Sequence, residues 1–347
     1  MLVADIDTPA LLVDAEALDE NLATMATALP GGRLRPHVKA HKCTGLARRQ
    51  AAAGHRSFTC ATIRECEGMA AAGLGEDLLL ANEVLDTRRL GNLVAAGARV
   101  TVAVDSAETI EAAVAGGVRE VVIDVNVGLP RCGCAVQDAG RLAELARRRG
   151  LGVRGVMGYE GHVVGLPDAA ERAERCKIAM EMLVAAHADV GGDLVSAGGT
   201  GTYAINTWAN EIQAGSYALM DTAYGRLGLP FKQAAFVLAT VVSASGGRDA
   251  AGIAWRGRDE SQARDGWGVG NAGLKAFGMD HGNPELVGGN VMFCSDEHVT
   301  FTPPRPVGEQ AWLAPAHIDP TMALHERAYL FSGDSVVDVW PIDLRGW

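Results

Sequence analysis

Residues 99–126, RVTVAVDSAETIEAAVAGGVREVVIDVN, decide the fold class of this chain. Two short runs of β-branched and apolar residues flank a stretch rich in Ala and Glu that ends at Gly116 and Gly117. This order predicts a strand, a helix closed by glycine and a second strand. Because the same rhythm recurs from about residue 10 to about residue 235, we expect βα units and a parallel sheet.

The number of predicted strands in this region indicates the architecture. Eight βα units in about 225 residues fit a closed (β/α)8 barrel of the TIM type, whose usual length is about 250 residues. We therefore predict an α/β barrel over residues 1–235, with about the first 10 residues packed on the C-terminal domain. In chain order the predicted strands are LRPHV, SFTCAT, DLLLAN, RVTVAVD, EVVIDVN, GVRGVMGY, LVSAGG and IQAGSYALM.

The sequence changes character after residue 235. Runs such as FVLATVVSAS, HVTFTPP and SVVDVWPID alternate with clusters of Gly, Pro and Asp. This pattern predicts a mostly-β C-terminal domain over residues 236–347. The polar segment near residues 255–270 is expected to be a loop.

Composition and charge narrow the class of protein. The 347 residues carry a formal net charge of −11, and because so acidic a surface repels nucleic acid and anionic lipid, neither partner is expected. Hydrophobic residues make up 48% and charged residues 21%, which is typical of a globular protein. The seven cysteines contain no CxxC pair, and the N-terminal residues do not resemble a signal peptide. We therefore expect a cytoplasmic protein that acts on a small molecule.

Several reactive side chains follow predicted barrel strands, where the chemistry of such barrels lies. Lys39 follows the first strand within RPHVKAHK, Arg131 follows the fifth, and Tyr159 and His162 follow the sixth. Taken singly, these are a solvated basic turn, a surface arginine, a packed aromatic ring and a structural histidine. A lysine desolvated at a barrel mouth is, however, the usual way to present an amine to a carbonyl cofactor.

Two segments near the seventh and eighth strands predict a phosphate site. Dense glycine lets successive backbone N–H groups converge on an anion, and threonine hydroxyls add donors. A flexible loop is the alternative, but phosphate sites in these barrels follow strands 7 and 8. Together with Lys39, the site implies pyridoxal 5′-phosphate. The predicted phosphate-site and neighbouring residues are Gly199, Thr200, Gly201, Thr202, Gln213, Gly215, Ser216 and Tyr217.

Ordered motifs along nearly the whole chain resemble one enzyme family. The motifs are TPALLVD, RPHVKAHK, IDVNVGLPRCG, GYEGH, GGTGTY, EIQAGSYALMD, SDEH and PAHIDPTMALHE. In this order they are similar to the D-threonine aldolase and D-serine dehydratase family, a branch of the fold type III pyridoxal-phosphate enzymes related to alanine racemase.

The resemblance implies roles for individual residues. Lys39 would carry the cofactor as a Schiff base, Arg131 would lie near its phenolic oxygen, and Tyr159 would lie against its ring. The glycine-rich segments would hold the phosphate, and Gln213 takes the place where racemases have an arginine facing the pyridine nitrogen. His162 is the candidate base, although the family places a base histidine farther beyond the tyrosine.

A second candidate site lies in PAHIDPTMALHE. His317 and Asp319 are alternate residues, and on an extended segment they would face one side and could share a divalent ion. An isolated H-x-D is weak evidence, but the resemblance implies a metal beside the cofactor. The carboxylate favours manganese, magnesium or calcium and also permits zinc.

The function implied is a metal-assisted lyase acting on D-β-hydroxy-α-amino acids, through retro-aldol cleavage to glycine and an aldehyde. The alternatives are a dehydratase acting on D-serine or 3-hydroxyaspartate, an amino-acid racemase, and a non-catalytic carrier for pyridoxal phosphate. The resemblance also implies a homodimer.

Overall fold

The computed structural model describes residues 1–245 and 266–347, and these residues form two compact units. One unit, here called the barrel unit, comprises residues 22–217, 227–229 and 343–347. The other, here called the β unit, comprises residues 1–21, 218–226 and 230–342. The domain boundary expected after residue 235 stays a prediction.

The described residues contain helices and strands throughout. The helices are α1 (Ala15–Ala28), α2 (Thr44–Ala52), α3 (Ile63–Ala71), α4 (Arg88–Ala95), α5 (Ala107–Ala115), α6 (Ala139–Arg148), α7 (Ala169–Val190), α8 (Thr222–Gly225) and α9 (Ile318–Leu324). The strands are β1 (Ala10–Asp14), β2 (Ser57–Cys60), β3 (Asp77–Leu80), β4 (Val100–Val104), β5 (Glu120–Asp124), β6 (Gly152–Gly158), β7 (Leu194–Ala197), β8 (Glu211–Ile212), β9 (Ala235–Ser245), β10 (Trp267–Gly270), β11 (Glu285–Leu286), β12 (Asn290–Cys294), β13 (Val299–Thr302), β14 (Gln310–Ala314), β15 (Arg327–Ser332) and β16 (Ser335–Pro341). None of these helices is both long and apolar enough to cross a bilayer.

The barrel unit contains a parallel sheet in which strands β2 to β8 follow one another in chain order. A short segment joins the two ends of this sheet, because Leu34 forms a parallel bridge to Ile212 and His37 forms one to Thr59. Pro36 lies between these bridges, and its carbonyl accepts the N–H of Thr59 at 2.9 Å. The predicted α/β barrel with a β-rich C-terminal domain is confirmed. The predicted first barrel strand, LRPHV, forms only the single bridges at Leu34 and His37, because Pro36 has no N–H to donate.

The residues of the barrel unit explain its buried strands, its helix ends and its core. Strand β4 is buried along its whole length, as expected for a parallel strand covered on both faces. Ser106 caps the N-terminus of helix α5, and its hydroxyl accepts the N–H of Thr109 at 3.3 Å, which satisfies an otherwise unpaired helix donor. One core cluster of the barrel unit consists of Leu79, Ala103, Val122, Met157 and Leu194.

Buried charges tie the barrel strands together. The fully buried Arg35 places Nε 2.8 Å from Glu211 and Nη2 3.1 Å from Asp77. Arg154 also pairs with Asp77, at 2.8 Å. Burial raises the pKa of Asp77, but the hydrogen bonds and charges of both arginines outweigh it and lower the pKa to about 2. Asp77, Arg154 and Glu211 lie on β3, β6 and β8. We infer that ion pairs join these three strands, in addition to apolar packing.

The β unit is built around strand β9, which pairs antiparallel with β1, β10 and β14. Strand β1 also pairs in parallel with β15, which the sequence did not predict. The prediction of a loop near residues 255–270 is wrong at its C-terminal end, because Trp267–Gly270 forms β10. Residues 255–265 lie outside the described residues. The expected extended conformation across His317 and Asp319 is also wrong, since α9 begins immediately after His317.

Candidate active site

The two lysines of the KAHK run occupy different environments in the barrel unit. Lys39 lies on a single turn, Val38–Ala40, directly after the bridge at His37. Its Nζ is 5.9 Å from the centroid of the Tyr159 ring. Lys42 instead directs Nζ to Oε1 of the buried Glu65 at 2.5 Å. The geometry therefore separates Lys39, beside an aromatic ring, from Lys42, in an ion pair.

Tyr159 is the point at which three predicted residues meet. The guanidinium carbon of Arg131 is 5.3 Å from the centroid of the Tyr159 ring, and Lys39 is also within 6 Å. These residues follow β5, β6 and the barrel-closing segment, and parallel strands bring their carboxyl ends to one edge. The face of Tyr159 can stack on another flat ring, and the two cations can pair with anionic groups attached to that ring.

The loop after β7 is held by a buried residue that sequence reasoning missed. Glu160 has no exposed surface and accepts hydrogen bonds from the Gly198 N–H at 3.1 Å and from the Thr202 hydroxyl at 2.8 Å. Asn206 donates a third at 3.3 Å. The GYEGH motif contained this carboxylate, but its role depends on contacts about 40 residues away along the chain. We infer that Glu160 sets the conformation of the predicted phosphate loop.

The predicted phosphate residues lie together in the barrel unit. Thr200 and Gly201 are buried, and among the described residues no protein acceptor takes the backbone N–H of either one. Buried N–H groups are almost always paired, so these two donors fit an anionic ligand. The Thr200 hydroxyl accepts the N–H of Tyr217 at 3.0 Å, which joins the loop to the segment after β8. Gly215 approaches the His37 carbonyl so closely that a Cβ atom would lie 2.5 Å from its oxygen.

A buried hydrogen-bond chain supports this second segment. The Gln50 side chain donates to the Tyr217 hydroxyl at 3.1 Å and lies 3.2 Å from Nε2 of His41. The Cys43 N–H donates to Nδ1 of His41, so the hydrogen of a neutral His41 ring is on Nε2 and faces the Gln50 oxygen. These contacts assign a supporting role to His41. Ser216, the remaining predicted residue of the segment, is also buried.

Gln213 has a fixed orientation because of its neighbours. The Ser196 hydroxyl donates to Glu211 at 2.7 Å, so it can only accept the contact of 2.9 Å from Nε2 of Gln213. The amide nitrogen of Gln213 is therefore directed at Ser196, and its carbonyl oxygen is left for another partner. Its predicted position facing a pyridine nitrogen stays a prediction.

His162 is exposed and lies over the backbone of Gly128. A Cβ atom added to Gly128 would be 2.9 Å from Cε1 of His162, so the glycine makes room for the imidazole ring. His162 thus packs on the loop after β5, whereas Lys39 and Arg131 flank the Tyr159 ring. Its role as a base stays a prediction.

A carboxyl pair beside Arg131 was not predicted. Asp124, at the end of β5, is 4% exposed and lies near the carboxyl group of Glu83. Burial and the charge of Glu83 raise the pKa of Asp124 well above its usual range, although Arg131 opposes this. Neither residue was singled out from sequence, because their approach requires the folding of two separate strands.

A separate cluster in the β unit could hold a metal ion. His317 lies 2.7 Å from Asp280 through Nδ1 and Oδ2, and ligand atoms of Asp280, His281 and His317 all lie within 4.8 Å of one another. Imidazole and carboxylate donors fit a divalent ion. Asp319, the predicted second ligand, lies in the first turn of α9 and is partly buried. Its participation stays a prediction, and the nearby Asp280 was missed because it is 37 residues away in sequence.

Comparison with known proteins gives consistent matches. A model described as the alanine racemase N-terminal domain matches residues 13–223, and a serine dehydratase domain matches residues 234–331. The chain is 32% identical to a D-threonine aldolase of Arthrobacter sp, covering 99% of this chain and 94% of the relative. It is 29% identical to a 3-hydroxy-D-aspartate aldolase of Paracoccus denitrificans, with coverage of 99% and 93%. The crystal structure of D-threonine aldolase from Filomicrobium marinum matches with a TM-score of 0.87 and 33% identity, covering 99% and 98%.

Proposed function

This chain belongs to the family of the alanine racemase N-terminal domain, and from that premise we propose that it is a pyridoxal-phosphate- and metal-dependent lyase. Its substrate is a D-β-hydroxy-α-amino acid, which it cleaves to glycine and an aldehyde. The relatives named D-threonine aldolase and 3-hydroxy-D-aspartate aldolase support this reaction class. The observation that carries the proposal is the meeting of Lys39 and Arg131 at the Tyr159 ring.

The residues of the barrel unit fit pyridoxal phosphate. When bound, this cofactor supplies an aldehyde that condenses with amines and a ring that withdraws electrons from Cα of the substrate. Lys39 provides the amine for that aldehyde. The backbone N–H groups of Thr200 and Gly201 donate to the phosphate, and Gly199, Thr202, Gly215, Ser216 and Tyr217 form the surrounding cradle. Tyr159, Arg131 and Gln213 provide partners for the ring.

The reaction needs a base and a means of making the β-hydroxyl acidic. A divalent ion held by His317 and Asp319 would supply a Lewis acid for that oxygen. His162 takes the hydroxyl proton, the Cα–Cβ bond breaks to release the aldehyde, and a proton returned to Cα gives glycine. Because His162 is exposed, it can exchange its proton with solvent between turnovers.

Dehydration is the second candidate function, and the match of residues 234–331 to a serine dehydratase domain favours it. In that reaction Lys39 removes the Cα proton and hydroxide leaves from Cβ. The products are a keto acid and ammonia rather than glycine and an aldehyde. The resemblance implies a His-x-Cys metal pair in many D-serine dehydratases and a His-x-Asp pair in D-threonine aldolases. The carboxylate of Asp319 in the H-x-D pair is therefore our reason for preferring the aldolase.

Product analysis separates these functions. Purified protein with pyridoxal phosphate and Mn²⁺ is incubated with D-threonine, D-serine or D-3-hydroxyaspartate, and aldehyde, keto acid and glycine are measured. We expect glycine and acetaldehyde from D-threonine, with activity lost in EDTA and in a Lys39→Ala variant. Keto acid and ammonia would instead establish dehydration. Racemisation that continues in EDTA would identify a racemase, and cofactor binding without turnover of any substrate would identify a carrier.

Two sequence-based expectations belong to the same proposal. Fold type III relatives imply a homodimer, which sedimentation of the purified protein would detect. A cytoplasmic location is proposed from the reduced cysteines and can be checked by cell fractionation.

A further inference from the structure

His317 is held by a carboxylate at one ring nitrogen. Its Nδ1 lies 2.7 Å from Oδ2 of Asp280, and its side chain is 22% exposed. An ionised carboxylate can only accept a hydrogen bond, so Nδ1 carries the hydrogen. In a neutral ring Nε2 then has the lone pair, and it is the nitrogen left to bind an ion.

The other histidine of this cluster stacks on His317 instead of sharing its plane. The ring centroids of His281 and His317 are 4.1 Å apart and the ring planes differ by 7°. A metal bound to an imidazole nitrogen lies close to the plane of that ring. Since two stacked, nearly parallel planes do not meet near the rings, one ion cannot bind both histidines in this arrangement.

The short contact between Asp280 and His317 also differs from the spacing of two ligands on one ion. Metal–ligand distances of about 2.1 Å at a right angle put ligand atoms about 3.0 Å apart, and tetrahedral geometry puts them farther apart. The observed 2.7 Å is an ordinary distance for a hydrogen bond. Asp280 and His281 therefore fit as supports of His317 better than as two additional ligands.

The backbone fixes the register of this pair. Gly278 forms an antiparallel bridge with His317. The Thr321 hydroxyl accepts the Gly278 N–H at 2.9 Å and donates to the His317 carbonyl at 2.7 Å. A Cβ atom on Gly278 would overlap Cγ of Pro320, so only glycine permits this approach. Asp280 follows two residues later and is thereby brought to the imidazole.

We propose that Asp280 is a positioning residue that holds His317 with Nε2 presented to the metal ion, while the stacked His281 fixes the plane of the ring. This inference rests on the metal requirement of the proposed function. It assigns Asp280 to the layer around the metal, where a carboxylate fixes the tautomer of a ligating histidine and increases its basicity.

The test measures Mn²⁺ binding rather than turnover. Holoprotein is stripped of metal with a chelator, and Mn²⁺ affinity is determined by calorimetry for wild type, Asp280→Asn, Asp280→Ala and His317→Ala. We expect Asp280→Ala to weaken binding about 10- to 100-fold and Asp280→Asn to weaken it less, because its amide oxygen can still accept the Nδ1 hydrogen. Glu309→Gln, an exposed change in the same unit, serves as the control and should bind as wild type.

Two spectroscopic measurements separate positioning from direct ligation. Pulsed electron paramagnetic resonance in ¹⁷O-labelled water counts the waters on Mn²⁺, and we expect the same count in wild type and Asp280→Asn. One additional water in the variant would make Asp280 a ligand and overturn the inference. In metal-free protein, ¹⁵N-histidine spectra should show the Nδ1–H tautomer of His317, and an Nε2–H tautomer would also overturn it.

The outcomes distinguish this inference from the proposed function. If wild type binds no Mn²⁺, the metal requirement fails together with the inference. If His317→Ala abolishes binding while folded Asp280→Ala binds within twofold of wild type, only the role of Asp280 is wrong. Should Asp280→Ala fail to fold, Asp280→Asn and the tautomer of wild-type His317 still decide the question.

Discussion

Nζ of Lys42 lies 2.5 Å from Oε1 of Glu65, and the Glu65 side chain has no exposed surface. The Ala61 N–H also donates to this carboxylate. Lys42 is therefore the counter-charge of a buried acid, and Lys39 is the lysine of the run that lies beside Tyr159. This difference between the two lysines leads to the first prediction.

Lys42→Met should destabilise the protein by about 3–5 kcal/mol, because it leaves a buried carboxylate without its cation. The same variant should still be labelled at Lys39 by borohydride in the presence of pyridoxal phosphate. Urea unfolding and peptide mass spectrometry measure the two effects. Lys177→Met is the matched control, since its contact with Glu181 is exposed and should change stability by no more than about 0.5 kcal/mol. A label on Lys42 in wild type would contradict the assignment.

Gly201→Ala should weaken pyridoxal-phosphate binding by at least about tenfold. The added Cβ would overlap the carbonyl oxygen of Val164, so the loop must shift and its N–H groups must move. Gly199→Ala tests the same loop without that clash, since its Cβ would lie 3.5 Å from a Val164 methyl carbon, an ordinary contact. Cofactor titration followed by absorbance compares the variants. Equal affinities would show that the loop conformation does not control phosphate binding.

Glu160→Gln should loosen the same loop. The carboxylate accepts hydrogen bonds from Gly198, Thr202 and Asn206, and an amide nitrogen in its place would face a donor at a cost of about 1–3 kcal/mol. We expect lower thermal stability and faster cofactor release, measured by calorimetry and by absorbance after dilution. Glu144→Gln changes an exposed helical pair and should leave both unchanged. A Glu160→Gln protein with wild-type release would limit Glu160 to a structural role.

Asp124→Asn should become more stable relative to wild type as pH rises. Burial and Glu83 raise the pKa of Asp124 in the folded protein, whereas an unfolded aspartate titrates near about 3.9. The folded state therefore binds the proton more tightly, and stability falls as pH rises from the unfolded pKa through the folded one. Asparagine stays neutral and avoids this loss. Melting temperatures of wild type and Asp124→Asn at pH 5 and pH 8 test this prediction, with the exposed Asp193→Asn as control. The same difference in melting temperature between Asp124→Asn and wild type at both pH values would contradict it.

Sequence patterns predicted most of the barrel because its strands are short, apolar and regularly spaced. Strands β2 to β7 lie within the predicted runs. The predictions failed where local chemistry and tertiary contacts disagree. Pro36 interrupts the first strand, and β8 keeps only Glu211–Ile212 before the chain turns.

The sequence predicted the site residues that follow strands, but not those that act through contacts distant in sequence. Lys39, Arg131 and Tyr159 could be named because each follows a strand, and strand ends share one edge. Glu160, Asp124 and Asp280 act through contacts with residues distant in sequence, so no local spacing identified them. Helix α9 was missed because PAHIDP has few helix formers, although proline is tolerated in a first turn.

The joining of the barrel ends at Leu34 and His37 has a consequence for the cofactor. Lys39 follows this junction by two residues, and Gly215 packs against the carbonyl of His37. A ligand attached to the lysine and anchored in the glycine-rich loops would connect the first and last strands of the barrel unit. Binding of the cofactor would then reinforce the closure of the barrel unit as well as equip it for chemistry.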